Sequence, residues 1–203
     1  WEGAEQISLV IPTRERATFL DVAIRSALLA ADNAGCPVEI VVSDNASNDE
    51  TPHVVAGFSD PRIVSRRTEK RLSMRENFQF ALSHTCGDYV VFIGDDDAVL
   101  PNGLRVLGKL IEQHDPDIVK WRVLNFMWPN PKTGAAGTLK VRAQVLDGRM
   151  KEIDPKRVLK RFEQARFRTY HEGGMIYHGC ISRRLIDKVE AASQGPYFRG
   201  SSP

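Results

Sequence analysis

Cysteine is scarce in this chain. There are three in 203 residues, Cys36, Cys86 and Cys180, set far apart and without a CxxC pair. That spacing excludes a disulfide framework and a structural zinc site, and it fits a reducing, cytoplasmic setting. Long apolar runs are also missing: no stretch approaches the ~20 residues that a membrane-spanning helix needs. There is no internal repeat and no low-complexity segment, which excludes solenoid and fibrous architectures. The net charge is small, +2, so bulk charge gives no reason to expect a nucleic-acid partner. Two stretches are locally basic, from Arg62 to Arg75 and from Arg149 to Arg168. For either, the ordinary reading is a solvated face.

What is present is a globular composition, 42% hydrophobic and 27% charged, in a chain long enough for one sizeable α/β domain with its own core. "ISLVI" (7–11), closed by Pro12, reads as a buried strand. Thr18 and Asp21 form a capping-box pattern ahead of Leu20, Ile24, Ala27 and Leu28, which predicts a helix over 18–31. "VEIVV" (38–42) is a second strand, running into the turn-rich "SDNASNDET". Asn48 or Asp49 is placed to start a helix to about Phe58. Short strands are expected at 62–65 and 89–93, with helices at 75–84 and 102–114 and a further strand at 117–124. Residues 125–138 read as a long loop and 139–146 as a weak strand. A basic amphipathic helix is expected over 155–168, then a strand at 175–181 and a helix from Ser182 to about Ala192.

Alternating strands and helices of this kind make a Rossmann-like, mostly parallel central sheet flanked by helices, and ligands bind such sheets at the carboxyl ends of the strands. Three polar clusters end three of the strands: Pro12-Thr13-Arg14, Ser43-Asp44-Asn45 and Gly94-Asp95-Asp96-Asp97. They are therefore expected on one edge. Three consecutive carboxylates beside a core are costly unless a cation meets them. Hard oxygen donors of this kind suit Mg²⁺ or Mn²⁺, which bind through one or two carboxylates plus phosphate oxygens. A single aspartate there is more simply a helix cap, Asp97 above all. "GDDDAVLP" lacks the alternating ligands and central glycine of an EF-hand loop.

Three segments, "ISLVIPTRERATFLDVAIRSAL", "VEIVVSDNASNDET" and "GDYVVFIGDDDAVLPNGL", resemble the successive signatures of glycosyltransferase family 2, enzymes of the glycosyltransferase A-type fold. The resemblance runs over about residues 7–110; "YHGCISRRLIDK" and "GPYFRGSSP" match more loosely. It implies a single domain over 1–203, with a nucleotide-sugar-binding half at about 1–115. The acceptor-side half, about 116–203, is expected to be incomplete at its C-terminus. The implied reaction is metal-dependent, inverting transfer of a sugar from a nucleotide-diphosphate donor, a UDP-sugar by preference, to a saccharide or lipid-linked acceptor in surface polysaccharide or glycoconjugate synthesis. A cytoplasmic location follows, with the basic helix as a possible contact to the inner membrane face.

Carried over position by position, the resemblance assigns Pro12, Thr13, Arg14 and Glu15 to the donor nucleotide, and Asp44 with Asn45 to its base or ribose. Arg71, Arg75 and Asn77 fall in the stretch that approaches base or phosphates; for the two arginines a surface pairing with acids is the alternative. The family motif is Asp-x-Asp-Asp followed by x-x-x-Pro. Registered on Phe92 and Pro101, its leading aspartate is Gly94 here, so Asp95 is expected to supply that contact to ribose or metal. Asp96 is the expected Mn²⁺ or Mg²⁺ ligand, with Asp97 and Asp95 beside it. The general base is expected immediately after Pro203, with Glu172 and Asp187 the candidates inside the chain. His178 is either a ligand of the diphosphate or metal, or a core histidine. Trp121, Phe126 and Trp128 are either a sugar-stacking wall or core. A sugar nucleotidyltransferase is one alternative, disfavoured because "PTRERAT" has no glycine; a nucleotide-sugar-binding module without turnover is the other.

Overall fold

The structure is a computed structural model, and it describes residues 4–129, 132–134, 136–141, 150–164 and 176–199. The chain divides into two compact units, Trp1–Val119 with Met175–Pro203, and Lys120–Gly174.

In the first unit the elements run β1 (Ile7–Thr13), α1 (Ala17–Asp32), β2 (Val38–Asp44), α2 (Thr51–Ala56), β3 (Ile63–Arg67), α3 (Met74–Leu82), β4 (Tyr89–Phe92) and α4 (Gly103–His114). After β5 (Ile118–Lys120), the chain returns to this unit with β8 (Gly179–Ser182) and α6 (Arg183–Ser193). The six strands form one sheet in the order β3-β2-β1-β4-β8-β5. β1 pairs in parallel with both β2 and β4, β2 pairs in parallel with β3, and β8 is antiparallel to β4. This is the mostly parallel α/β architecture expected from the alternation of elements.

The central strands are buried along their whole length because helices cover both faces, and their sequences are correspondingly continuous β-branched and aliphatic runs. Successive side chains alternate between two cores. Ile7, Leu9 and Ile11 join Leu20, Ile24 and Ala27 of α1 and Leu104, Leu107 and Ile111 of α4 on one face. Val10, Val41, Val90 and Phe92 join Ala81 and Leu82 of α3 and Ile186 of α6 on the other. Phe92 stacks on Phe78 with ring centroids 5.2 Å apart, and Phe198 meets both edge-on.

The second unit holds β6 (Asn125–Met127) and β7 (Thr138–Lys140), which pair as an antiparallel hairpin, and α5 (Pro155–Glu163). The expected loop over 125–138 is thus corrected: Phe126 sits opposite Leu139 in a strand pair. Turn residues dominate that sequence and hide the short strand between them. The strand expected at 117–124 is only the three residues of β5. Parts of the expected strand at 139–146 and of the helix at 155–168 lie outside the described residues. Among the described residues no helix is long and apolar enough to cross a membrane.

Beneath the sheet's amino edge, Glu39 of β2 is only 6% exposed. Its Oε1 accepts from the Ser8 hydroxyl and from the backbone N–H groups of Cys86 at 2.6 Å and Gly87 at 3.2 Å, and its Oε2 from the Cys86 thiol at 3.1 Å. Burial alone would push this carboxyl up; the hydrogen bonds together outweigh it and hold the group below the usual glutamate range. The cluster ties β1, β2 and the turn before β4 together, and so helps set the register that levels the other ends of these strands. A folded-state value below the unfolded one adds stability above the unfolded pKa, and that stability is lost as pH falls through the folded value. Glu39→Gln is therefore expected to cost about 2 kcal/mol near pH 7. The gap to wild type should close as pH falls below about 4, read by urea denaturation at each pH. A gap of constant size would assign the interaction to shape rather than charge.

Candidate active site

Parallel pairing sets the carboxyl ends of β2, β1 and β4 side by side. Thr13 lies opposite Asp44, and Val10 opposite Phe92, so the turn after β4 begins beside the last residues of β1. The Ile93 amide still bonds the Val10 carbonyl at 3.0 Å. Beyond it the chain turns tightly: the Asp97 amide donates to the Gly94 carbonyl at 3.2 Å, and the Gly94 amide to Asp97 Oδ2 at 2.8 Å.

The three aspartates that follow β4 each have a different partner. Asp95 is turned inward and accepts the Thr13 hydroxyl at 2.7 Å on Oδ2. Its burial raises its carboxyl above the ordinary value, against the pull of that hydroxyl and of Arg16. Asp96 is exposed, and its Oδ2 accepts from the Arg16 guanidinium at 2.7 Å. Asp97 Oδ2 takes three donors: the Gly94 amide, His178 Nε2 at 2.8 Å and the Tyr177 hydroxyl at 3.2 Å. The His178 bond is the main reason its carboxyl lies below the ordinary range. Burial first, and then the Asp97 charge, push the Tyr177 phenol up, so that it stays a donor.

Gly94 lies in a crowded part of this turn. A Cβ there would lie 2.6 Å from the Tyr177 hydroxyl, 2.8 Å from Asp97 Oδ2 and 2.9 Å from Asp96 Oδ1. All three are side-chain ends, so a larger residue here would require them to shift.

Asp44 is 4% exposed at the end of β2. Its Oδ1 accepts the Ser47 amide at 3.0 Å, and its Oδ2 the guanidinium of Arg67, its register partner on β3. Asn45 is buried and clamps the loop before α3: its amide donates to the Leu72 carbonyl at 2.9 Å, and its carbonyl accepts the Leu72 N–H at 2.7 Å. That clamp holds Arg71, which pairs with Glu15. Asn77 is buried too, and accepts the Ser43 hydroxyl at 2.8 Å. Pro12 is buried within β1, while Arg14 and Arg75 are exposed. Thus Thr13, Asp44, Asp95, Asp96 and Asp97 meet at one edge, with Glu15 and Arg71 paired beside them. Asn45 and Asn77 spend their amides on the chain itself.

His178 has a backbone φ of +54°, a left-handed state that histidine adopts more readily than most side chains, and its ring meets Asp97. It is neither isolated nor in a regular strand. Asp187 is exposed on α6, which starts beside Tyr89, at the amino end of β4 and away from the aspartates. Glu172 and the residues after Arg199 lie outside the described residues. Trp121, Phe126 and Trp128 are exposed rather than core, and Phe126 meets Trp128 edge-on at 5.2 Å.

Arg16 escaped the sequence reading. The signal was its place at the N-cap of α1, where a cation faces the positive end of the helix dipole and a short polar acceptor is usual. Thr18, the expected cap, lies inside the helix instead, which corrects that expectation. The capping acceptor comes from the loop after β2, where Asp49 Oδ2 takes the Ala17 N–H at 3.2 Å.

Among the described residues no three His, Cys, Asp or Glu side chains converge into a metal cage. Asp95 and Asp96 nevertheless fit a hard divalent ion of the Mg²⁺ type, which needs only one or two carboxylates and takes the rest of its oxygens from phosphate and water.

A family profile described as Glycosyl transferase family 2 matches residues 8–189. The chain belongs to that family. Its family 2 segment is 32% identical over 105 residues to the abequosyltransferase RfbV of Salmonella typhimurium, an alignment covering 50% of this chain and 31% of RfbV. The chain thus spans about a third of the length of the curated relatives it matches. Staphylococcus aureus TarS 1–349 in complex with UDP-GlcNAc superimposes with a TM-score of 0.52 at 22% identity, over 58% of this chain and 34% of that one. The mannosyltransferase PcManGT of Pyrobaculum calidifontis in complex with GDP-Man and Mn²⁺ does so with 0.51 at 21% identity, over 58% of this chain and 35% of that one. These likenesses bear on the fold.

Gly94→Ala tests the crowded turn. It should destabilise the protein by about 1–3 kcal/mol, because the ends of Tyr177 and Asp97 would have to shift out of their hydrogen bonds. An unchanged urea midpoint would mean that Tyr177 and Asp97 have room to give way.

Proposed function

We propose that this chain transfers a sugar from a nucleotide-diphosphate donor to an acceptor hydroxyl with inversion, in the synthesis of a surface polysaccharide or glycoconjugate. The observation that carries the reading is the meeting of three polar strand ends at one edge of a parallel sheet, joined by the Thr13–Asp95 hydrogen bond. Such edges are where α/β sheets take nucleotides. Family membership supports transferase chemistry.

In this reading Asp44, held still by Arg67 and Ser47, faces the base or ribose of the donor. Thr13 orients Asp95 toward the ribose or metal, and Arg14, Arg71 and Arg75 supply positive charge for the diphosphate. Asp96, with Asp95, would hold a Mn²⁺ or Mg²⁺ ion, and Asp97 keeps the turn in shape. Such an ion supplies Lewis-acid stabilisation of the leaving diphosphate, worth several kcal/mol. The bond from the anomeric carbon to the diphosphate oxygen breaks and its electron pair leaves with the diphosphate. The acceptor oxygen bonds to that carbon from the opposite side, and its proton passes to a carboxylate base, a contribution of roughly 10²–10⁴-fold. A UDP-sugar is the favoured donor on the resemblance of the strand-end segments; among the structural neighbours TarS is bound to UDP-GlcNAc and PcManGT to GDP-Man. A lipid-linked acceptor would bring the chain to the inner membrane face, where the basic residues of α5, Lys156, Arg157 and Lys160, have the sign to meet anionic lipid.

Calorimetric titration with UDP, GDP and dTDP, each with Mn²⁺ and with EDTA, tests this reading. One nucleotide should bind with Mn²⁺ and at least about tenfold more weakly with EDTA, and Asp96→Ala should remove the difference. Binding unaffected by EDTA would sink the metal reading. Binding without any sugar transfer or donor hydrolysis would leave a nucleotide-sugar-binding module.

A further inference from the structure

A cation already stands at the aspartates, and it belongs to the chain. Arg16 Nη1 lies 2.7 Å from Asp96 Oδ2, and its Nε lies 3.9 Å from Asp95 Oδ1. One guanidinium thus spans the two carboxylates assigned above to the divalent ion. Two features show that this placement is built, and a third that it can be undone. Glu15, immediately before it, has φ +55°, a backbone state costly for a side chain of its size. That conformation is fixed by the Glu15 N–H bonding Ser47 Oγ at 2.8 Å. Arg16 itself occupies an N-cap that favours anions and acceptors, and its side chain makes no capping bond. Asp49 supplies the acceptor from another loop, so the Arg16 side chain is released to reach residues 80 positions away. Finally, the side chain is 47% exposed, so it can leave without disturbing the core. Its Cζ also lies 5.9 Å from the centre of the Phe19 ring, a second contact for the charge.

We propose that Arg16 is a tethered counter-cation that competes with the divalent ion for Asp95 and Asp96, and that yields to it when a nucleotide diphosphate arrives to take the guanidinium. The inference rests on the metal reading above. Without nucleotide, Arg16 keeps the two carboxylates ordered and makes the free ion bind weakly. The diphosphate brings negative charge that suits both cations, so Arg16 can shift to it as the ion enters. Donor and ion then bind cooperatively, and each raises the affinity for the other by the same factor. Arg16 is in this sense a positioning residue for the donor site.

Mn²⁺ binding to the full chain, read from the amplitude of the free-ion electron paramagnetic resonance signal with and without UDP, tests the proposal. Arg16→Gln should bind Mn²⁺ alone about fivefold more tightly, the factor that a half-exposed ion pair of about 1 kcal/mol corresponds to. The enhancement of Mn²⁺ affinity by UDP should shrink in the same variant. Arg16→Lys, which keeps the charge, should restore the wild-type affinity for Mn²⁺ alone; a structural cap role would not give that rescue. Unchanged or weaker Mn²⁺ binding by Arg16→Gln, with binding still lost in Asp96→Ala, would overturn the competition and leave the metal site standing. No Mn²⁺ binding by wild type even with UDP, GDP or dTDP would remove the metal reading and this inference together.

Discussion

β1 lies parallel between β2 and β4, and the meeting of Thr13 with Asp44 and Asp95 at the candidate site depends on that pairing. The strand's seven residues are buried on both faces, so its only free polar chemistry lies where it stops. Register levels its end with Asp44 on one side and brings the turn after Phe92 up beside it on the other. At the amino edge the same three segments are tied by Glu39 to Ser8, Cys86 and Gly87. A slip of one residue in any of these pairs would turn aliphatic side chains out of one core and into the other. Apolar burial therefore specifies the position of the carboxylates, although it makes no contact with them.

The crowding of Asp95, Asp96 and Asp97 is relieved by dividing the three among different environments. Asp95 turns inward to Thr13, Asp96 faces outward to Arg16, and Asp97 folds back on Gly94, Tyr177 and His178. Their proton affinities separate as a result. Burial raises Asp95, while the His178 bond lowers Asp97. Neighbouring carboxylates in different surroundings can serve different ends. Here Asp97 supports the turn, Asp95 is held on Thr13, and Asp96 is left facing solvent beside Arg16.

The loop after β2 serves several elements at once. Ser47 closes on Asp44 and receives the Glu15 amide, while Asp49 caps α1 and receives the Thr51 amide at the start of α2. Asn45 reaches the other way and holds Leu72. One turn-rich segment thereby joins the ends of β1, β2 and the approach to α3. Local capping is given up at Arg16 and supplied from a distance, an inconsistency of the sort that marks functional sites.

Strand and helix types in the first half were legible because their periodicities are strong: unbroken β-branched runs for the buried strands, and a 3.6-residue repeat in α1 and α4. So was the convergence of Thr13, Asp44 and the aspartates, since parallel strands flanked by helices must end together. Composition misled at 125–138, where prolines and glycines mask the short β6, and at Thr18, where a local capping pattern lost to an acceptor 32 residues away. Asn45 and Asn77 carry residue types that suit a nucleotide site, yet they bond Leu72 and Ser43. Which way an amide points is set by neighbours far along the chain. By itself, then, the sequence determined the sheet, its edge and the acids on it, because periodicity and residue type are local properties. Only the tertiary structure decided that the Tyr177 hydroxyl crowds Gly94, that His178 belongs to Asp97, and that Arg16 stands between Asp95 and Asp96. Each of those facts is a distance between residues about 80 positions apart, and no local pattern encodes it.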